Sequence, residues 1–183
     1  MDKNKNREKI ARKNLLRESK EVKGITIEGY DFDKGIDYKK ILESFESMGF
    51  QASHFSQAIS ITNKMISEKA FIFLGFTSNM ISSGNRDIIR YLVKHKKVNV
   101  CVTTCGGIEE DIIKCLGDFY LGEFRANGRD LRKKGINRIG NIFVPNNRYV
   151  AFESFFQPIL KELFSEKKVI SPHNIIWKLG EKI

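Results

Sequence analysis

The sequence predicts an α/β fold whose parallel sheet is incomplete, with a helical extension ahead of it. Three observations predict it. Three stretches read as strands, 70–75, 98–102 and 137–144, and the first is continuously apolar rather than alternating, as strands covered on both faces are. Amphipathic stretches separate them, and a parallel pair needs such a crossover. The first two runs each end in a turn of small residues that opens a helix.

The elements follow in order. Residues 1–23 read as a basic, solvated, flexible tail. The folded part, 24–183, starts with an extended, ordered arm (24–36) carrying Ile25, Ile27, Tyr30 and Phe32 between glycines. Asp37 is placed to cap a helix over 38–48. Ile41, Leu42, Phe45 and Met48 share one face of it, and Gly49 ends it. A second helix spans 53–69, with Phe55, Ile59, Thr62 and Ile66 nearly in line. After the strand at 70–75, a helix over 84–96 buries Ile88, Ile89, Leu92 and Val93. The strand at 98–102 leads into a helix over 108–117. A short helix at 129–134 precedes the strand at 137–144, which Pro145 stops. The helix over 148–165 carries Phe152, Phe155, Phe156, Ile159, Leu163 and Phe164 on its apolar side. Ser171 and Pro172 open a last helix by cap and first-turn proline. Three strands are few, since a doubly wound sheet that binds a dinucleotide has about six. The pattern suggests part of a larger domain.

Composition narrows the class. The chain has 183 residues, 41% hydrophobic and 30% charged, which is enough for one sizeable core. No apolar run approaches the roughly 20 residues that span a bilayer. The charged N-terminus lacks the apolar stretch of a secretory signal. Cys101, Cys105 and Cys115 form an odd set without a C-x-x-C pair, which argues against disulfides and zinc and fits a cytoplasmic protein. Half of the net charge of +10 lies in residues 2–23, where nine basic side chains face four acidic ones. No aromatic residue precedes Tyr30, so base stacking has no support there and nucleic acid is not the expected partner.

The chemistry concentrates in the two strand-to-helix turns, residues 77–84 (TSNMISSG) and 103–111 (TTCGGIEED). Small residues let backbone approach a ligand closely, and a helix start offers N–H groups to anions. Neither turn carries G-x-G-x-x-G or the P-loop ending. The pattern alone leaves a phosphate-bearing ligand and a purely structural turn both open. Glu109, Glu110 and Asp111 suit a cation or complement the helix dipole. Neighbouring helical residues point about 100° apart, so all three cannot face one ligand.

Several long motifs in sequence order resemble deoxyhypusine synthase. They are the two turns together with 29–35 (GYDFDKG), 114–116, 120–124 (YLGEF), 135–141 (GINRIGN) and 144–147. The resemblance runs from about Gly29 to Lys182. It implies a Rossmann-like, NAD-binding α/β domain in a tetramer with sites at subunit interfaces. It also implies NAD-dependent transfer of the aminobutyl group of spermidine, through an enzyme lysine, to one lysine of a translation factor precursor. Carried over by motif, Ser78, Asn79, Met80, Ile81 and Ser82 match one cofactor-contacting turn. Thr104, Cys105 and Gly106 match the other, with cysteine where the family often has alanine. Glu109 and Glu110 match the spermidine-contacting acidic pair, Glu110 also near the cofactor. Residues 29–35 match a segment that lies over a neighbouring subunit's site. For Asn137, Arg138 and Asn141 a structural role is expected. The family's nucleophilic lysine belongs to a C-terminal half that these residues do not include. Lys114 does not match its motif, so no catalytic residue and no metal ligand is assigned. Two alternatives stay open: a non-catalytic paralogue that supports a lysine-bearing partner, and a homospermidine synthase-like transferase.

Overall fold

The computed structural model describes residues 3–166 and 169–183. The first two residues of the basic tail lie outside them. The chain divides into two units, Met1–Ser67 and Glu68–Ile183.

In the first unit, α1 (Lys3–Leu15) is a basic helix with Ile10 and Leu15 open to solvent. The segment around Tyr30 is held locally. Tyr30 donates its hydroxyl to the Gly35 carbonyl at 2.7 Å, and Asp31 caps a single 3-10 turn over Phe32–Lys34. Helix α2 (Tyr38–Met48) starts where predicted because the Asp37 carboxylate accepts from the Lys39 and Lys40 amides. It stops at Gly49, whose φ of +85° suits glycine. Helix α3 (Phe50–Ser67) folds back on α2, with the Phe45 and Phe55 rings 6.0 Å apart. It starts earlier than the predicted 53. Of the predicted stripe, Ile59 is half-buried while Phe55 and Ile66 stay exposed. Helix α2 lies against α3 in this unit, and it covers a narrower face than the sequence offers.

The second unit opens with β1 (Phe73–Phe76), α4 (Ser78–Ser82), α5 (Asn85–Lys94), β2 (Val100–Thr103) and α6 (Cys105–Leu116). Strands β1 and β2 pair in parallel, Phe73 opposite Val100 and Phe76 opposite Thr103. Next come β3 (Tyr120–Leu121), α7 (Gly128–Lys133), β4 (Ile136–Ile139), β5 (Ile142–Pro145), α8 (Asn146–Glu166) and α9 (Pro172–Lys182). The core sits between α6, α8 and α9. There Ile112, Ile159, Leu163 and Leu179 are buried, with Phe152, Phe155 and Phe156 packed against them.

Three expectations are corrected. The run at 137–144 is not a third parallel strand. It folds into the β4–β5 hairpin, and with β3 this makes a separate antiparallel sheet of order β3-β5-β4. The cause is the two-residue turn Gly140-Asn141, with Gly140 at φ +59°, a glycine where a type II′ turn requires one. The predicted helix after β1 forms as α5, but the turn ahead of it is not all loop: Ser78–Ser82 makes the short helix α4, with Ser83 and Gly84 between the two. Helix α6 begins at Cys105 rather than 108, so Glu109 and Glu110 stand in its second turn.

The expected two-sided burial of the sheet is not met either. Phe73 is 67% and Val102 58% exposed, and Ile88 and Val93 of α5 face solvent while Ile89 and Leu92 are half-buried. The class is α/β with a small parallel sheet. Among the described residues, no helix is long and apolar enough to cross a membrane.

Candidate functional site

Strands β1 and β2 run in parallel and their last residues pair, so both following turns leave the same end of the sheet. Thr77 and Thr104 take extended backbone conformations as N-caps, and neither side chain caps its helix. The two turns touch. A methyl group built on Gly106 would lie 3.1 Å from Ser78 Cβ, and one on Gly107 would run into the Thr103 side chain. Glycine is therefore the residue that lets α6 start this close to α4 and β2.

One face of α6 grips the α4–α5 segment. The Ser82 hydroxyl donates to the Glu110 carboxylate. Arg86 of α5 donates from Nε to Asp111 Oδ1 at 2.6 Å, and from Nη2 to the Asp111 carbonyl and to Cys115 Sγ. Lys114 Nζ donates to the carbonyls of Ile81, Ser82 and Ser83 at 3.0, 3.0 and 3.1 Å. Burial raises the Glu110 pKa, and the Glu109 charge adds to it against the pull of Ser82 and Lys114. Glu109 is half-buried, and its carboxylate has no hydrogen bond or ion pair among the described residues.

The predicted residues thus meet in part. Ser78 lies against Gly106, and Ser82 binds Glu110. Asn79, Met80, Thr104 and Cys105 are exposed along the same edge. Ile81 is withdrawn from solvent: the residue is 5% exposed and its carbonyl is held by Lys114. Asp111 is committed to Arg86. One residue was missed. The Tyr149 hydroxyl, in the first turn of α8, has its pKa raised by burial and then by the charges of Glu110 and Glu109. Its hydroxyl thus lies within electrostatic range of Glu110 and Glu109. No spacing rule links it to residues 109 and 110; the packing of α8 on α6 does.

Two further motif residues make contacts at the hairpin. Asn137 donates to the Asn146 side chain, and Arg138 donates to the Phe124 carbonyl, both bracing the hairpin. A polar cleft of about 430 Å³ lies between α7 and the hairpin, lined by Arg132, Arg138, Asn137 and Asn146. None of the predicted site residues lines it.

Comparison with known proteins gives the chain's family. The deoxyhypusine synthase family model matches residues 40–183. Deoxyhypusine synthase of Senecio vernalis is 46% identical over 92% of this chain and 54% of its own length. Homospermidine synthase 2 of the same plant is 45% identical over 94% of this chain and 54% of its own. The chain spans about half the length of the curated relatives it matches. A crystal structure from Entamoeba histolytica, described as a deoxyhypusine synthase, superposes with a TM-score of 0.59 at 31% identity. It covers 85% of this chain and 54% of the other. Identity near one residue in two, sustained over nine tenths of the chain and matched by the fold, reflects common descent, and the chain belongs to the deoxyhypusine synthase family.

Proposed function

We propose that this chain forms the cofactor and polyamine side of a deoxyhypusine synthase site. The reaction is NAD-dependent transfer of the aminobutyl group of spermidine to a specific lysine of a translation factor precursor, the first step of hypusine formation. The observation that carries the reading is the junction of the two turns: Ser78 against Gly106, with Ser82 bound to Glu110 beneath them.

The residues fit a nucleotide. The threonine caps leave the first N–H groups of α6 without a side-chain acceptor, and Gly106 keeps the approach free of side chain. In this reading Ser78, Asn79, Met80, Ile81 and Ser82 line one side of NAD, and Thr104, Cys105 and Gly106 the other. Ile81 contributes its position in the turn rather than its buried side chain. NAD, when bound, supplies hydride acceptance from the polyamine and hydride return.

Glu109 and Glu110 bind the ammonium groups of spermidine. Among the described residues Glu109 has no partner to give up, and a half-buried carboxylate gains most from a cation that replaces its lost water. Tyr149 adds a hydroxyl beside them. The nucleophilic lysine comes from sequence outside these 183 residues, in the same polypeptide or in a partner chain. Lys114 does not serve, because three carbonyls take its three hydrogens. The exposed faces of β1, β2 and α5 fit assembly into the family's tetramer, and a cytoplasmic location goes with this reading.

A second reading, transfer to a small amine, is supported by the 45% identity to the Senecio homospermidine synthases, against 46% to the deoxyhypusine synthase. One assay separates them. The assembled protein, with NAD and spermidine labelled in its aminobutyl part, is offered the precursor protein or putrescine. Label on the precursor supports the first reading, and label on putrescine alone supports the second. No transfer to either acceptor, with a lysine-bearing chain present, would contradict both.

A further inference from the structure

Lys114 lies one helical turn beyond Glu110 on α6. It spans more than thirty residues of sequence to reach the end of α4. An ammonium has three hydrogens in a cone, and here three consecutive carbonyls, those of Ile81, Ser82 and Ser83, lie within 3.0 to 3.1 Å of it. These are C-terminal carbonyls of a five-residue helix, the end at which a cation is favoured. The Phe119 ring covers the ammonium with its centroid 5.7 Å away.

We propose that Lys114 is a positioning residue: its ammonium fixes the backbone of the first turn, so that Ser78 to Ser82 and the Ser82–Glu110 hydrogen bond hold one geometry for the ligand. This rests on the reading of residues 78–82 as a ligand-contacting turn. A helix of five residues has too few internal hydrogen bonds to hold itself. The hold comes from α6 instead, through Glu110 to Ser82, Lys114 to the carbonyls, and Arg86 to Asp111 at the start of α5.

The charge state of Lys114 is set by its surroundings. Burial and Arg86 lower its pKa, against Asp87 of α5 and Asp111 and Glu110 of α6. The ammonium is therefore lost at a lower pH than that of an ordinary lysine. A neutral amine keeps two hydrogens for three carbonyls and has no charge for the helix end.

The test measures NAD affinity of the assembled wild-type protein and of Lys114→Met from pH 7.5 to 10.5. The expected result is an affinity about tenfold weaker in the variant at pH 7.5, with the ratio shrinking towards one as the wild type loses its ammonium. A constant ratio would mean a packing role and would overturn the proposal, as would a ratio of one at pH 7.5 in a folded variant. Lys114→Arg keeps charge but offers a planar fork, so it is expected to stay at least threefold weaker than wild type. Full rescue would overturn the three-carbonyl hold.

Amide exchange separates this proposal from the functional reading. In the ligand-free assembly, Lys114→Met should speed exchange in residues 80–84 at least tenfold and leave β2 and α8 unchanged. Unchanged exchange at 80–84 overturns the positioning role whatever NAD does. Faster exchange without NAD binding to wild type supports the positioning role and removes the cofactor reading.

Discussion

Ser82 and Glu110 join the two strand-to-helix turns: the hydroxyl at the end of α4 donates to the carboxylate in the second turn of α6. Ser82 is buried and Glu110 half-buried, so the bond lies at the base of the corner rather than on its rim. It places the acidic pair directly under the turn that the cofactor reading assigns to NAD.

That placement gives Glu110 a pH signature. Burial raises its pKa above the ordinary carboxylate value of 4.5. The folded state then binds the proton more tightly than the unfolded state, so stability falls as pH rises through the interval between the two values. Glu110→Gln is expected to be at least as stable as wild type at pH 7 and to lose this slope. Spermidine shows the opposite sign, since its ammonium favours the ionised carboxylate. Wild-type affinity rises with pH through that interval, and the Glu110→Gln profile is flat there. Titration calorimetry from pH 4.5 to 7 reads the affinity, and thermal melts read the stability.

Gly107 tests the close approach of α6 to β2. Alanine in a helix is ordinarily about 1 kcal/mol better than glycine. Here its Cβ would meet Thr103 Oγ1 and Cγ2. Gly107→Ala is expected to destabilise by about 1–3 kcal/mol, as overpacked sites do. Thr103 Oγ1 is buried without a hydrogen-bond partner among the described residues, so Thr103→Ala costs little and opens the space. The double variant should recover more than half of the loss, and denaturant melts of the four proteins close the cycle.

Arg86 tests the clamp between α5 and α6. Its ion pair with Asp111 is short, at 2.6 Å, but partly exposed. The expected loss in Arg86→Ala is about 1 kcal/mol by chemical denaturation, the range of such pairs. Arg86→Lys recovers little of it, because the same guanidinium also donates to the Asp111 carbonyl and to Cys115 Sγ.

The open sheet face predicts association. Phe73, Val102, Ile88 and Tyr91 leave apolar surface and strand edges exposed. The 183 residues produced alone should sediment as oligomers or aggregate. A monodisperse monomer with a sharp cooperative melt would count against that expectation.

Helix α2 was legible to the residue, because its cap Asp37 and its stop Gly49 are local signals. The opening of α9 by Ser171 and Pro172 was legible for the same reason. The β4–β5 hairpin was not, since its strands are short and Gly140-Asn141 sits inside an apolar run that reads as one strand. The start of α6 reads three residues late in the sequence, because Gly106 and Gly107 look like loop until Ser78 and Thr103 are seen against them. Within the site, the chemical character of the turns and of Glu109–Glu110 could be read from sequence. The Ser82–Glu110 and Lys114 contacts could not, because residues about thirty apart meet only through the parallel pairing of β1 and β2. Tyr149 was invisible for the same reason, being delivered by the packing of α8 on α6.

The most direct test of the central claim is the spermidine affinity of the NAD-saturated assembly, wild type against Glu109→Gln. Loss of a charged hydrogen bond costs about 1.5–3 kcal/mol, so a ten- to hundredfold weaker affinity is predicted, with the melting temperature nearly unchanged. An unchanged affinity in the folded variant would contradict the assignment of this corner as the polyamine site.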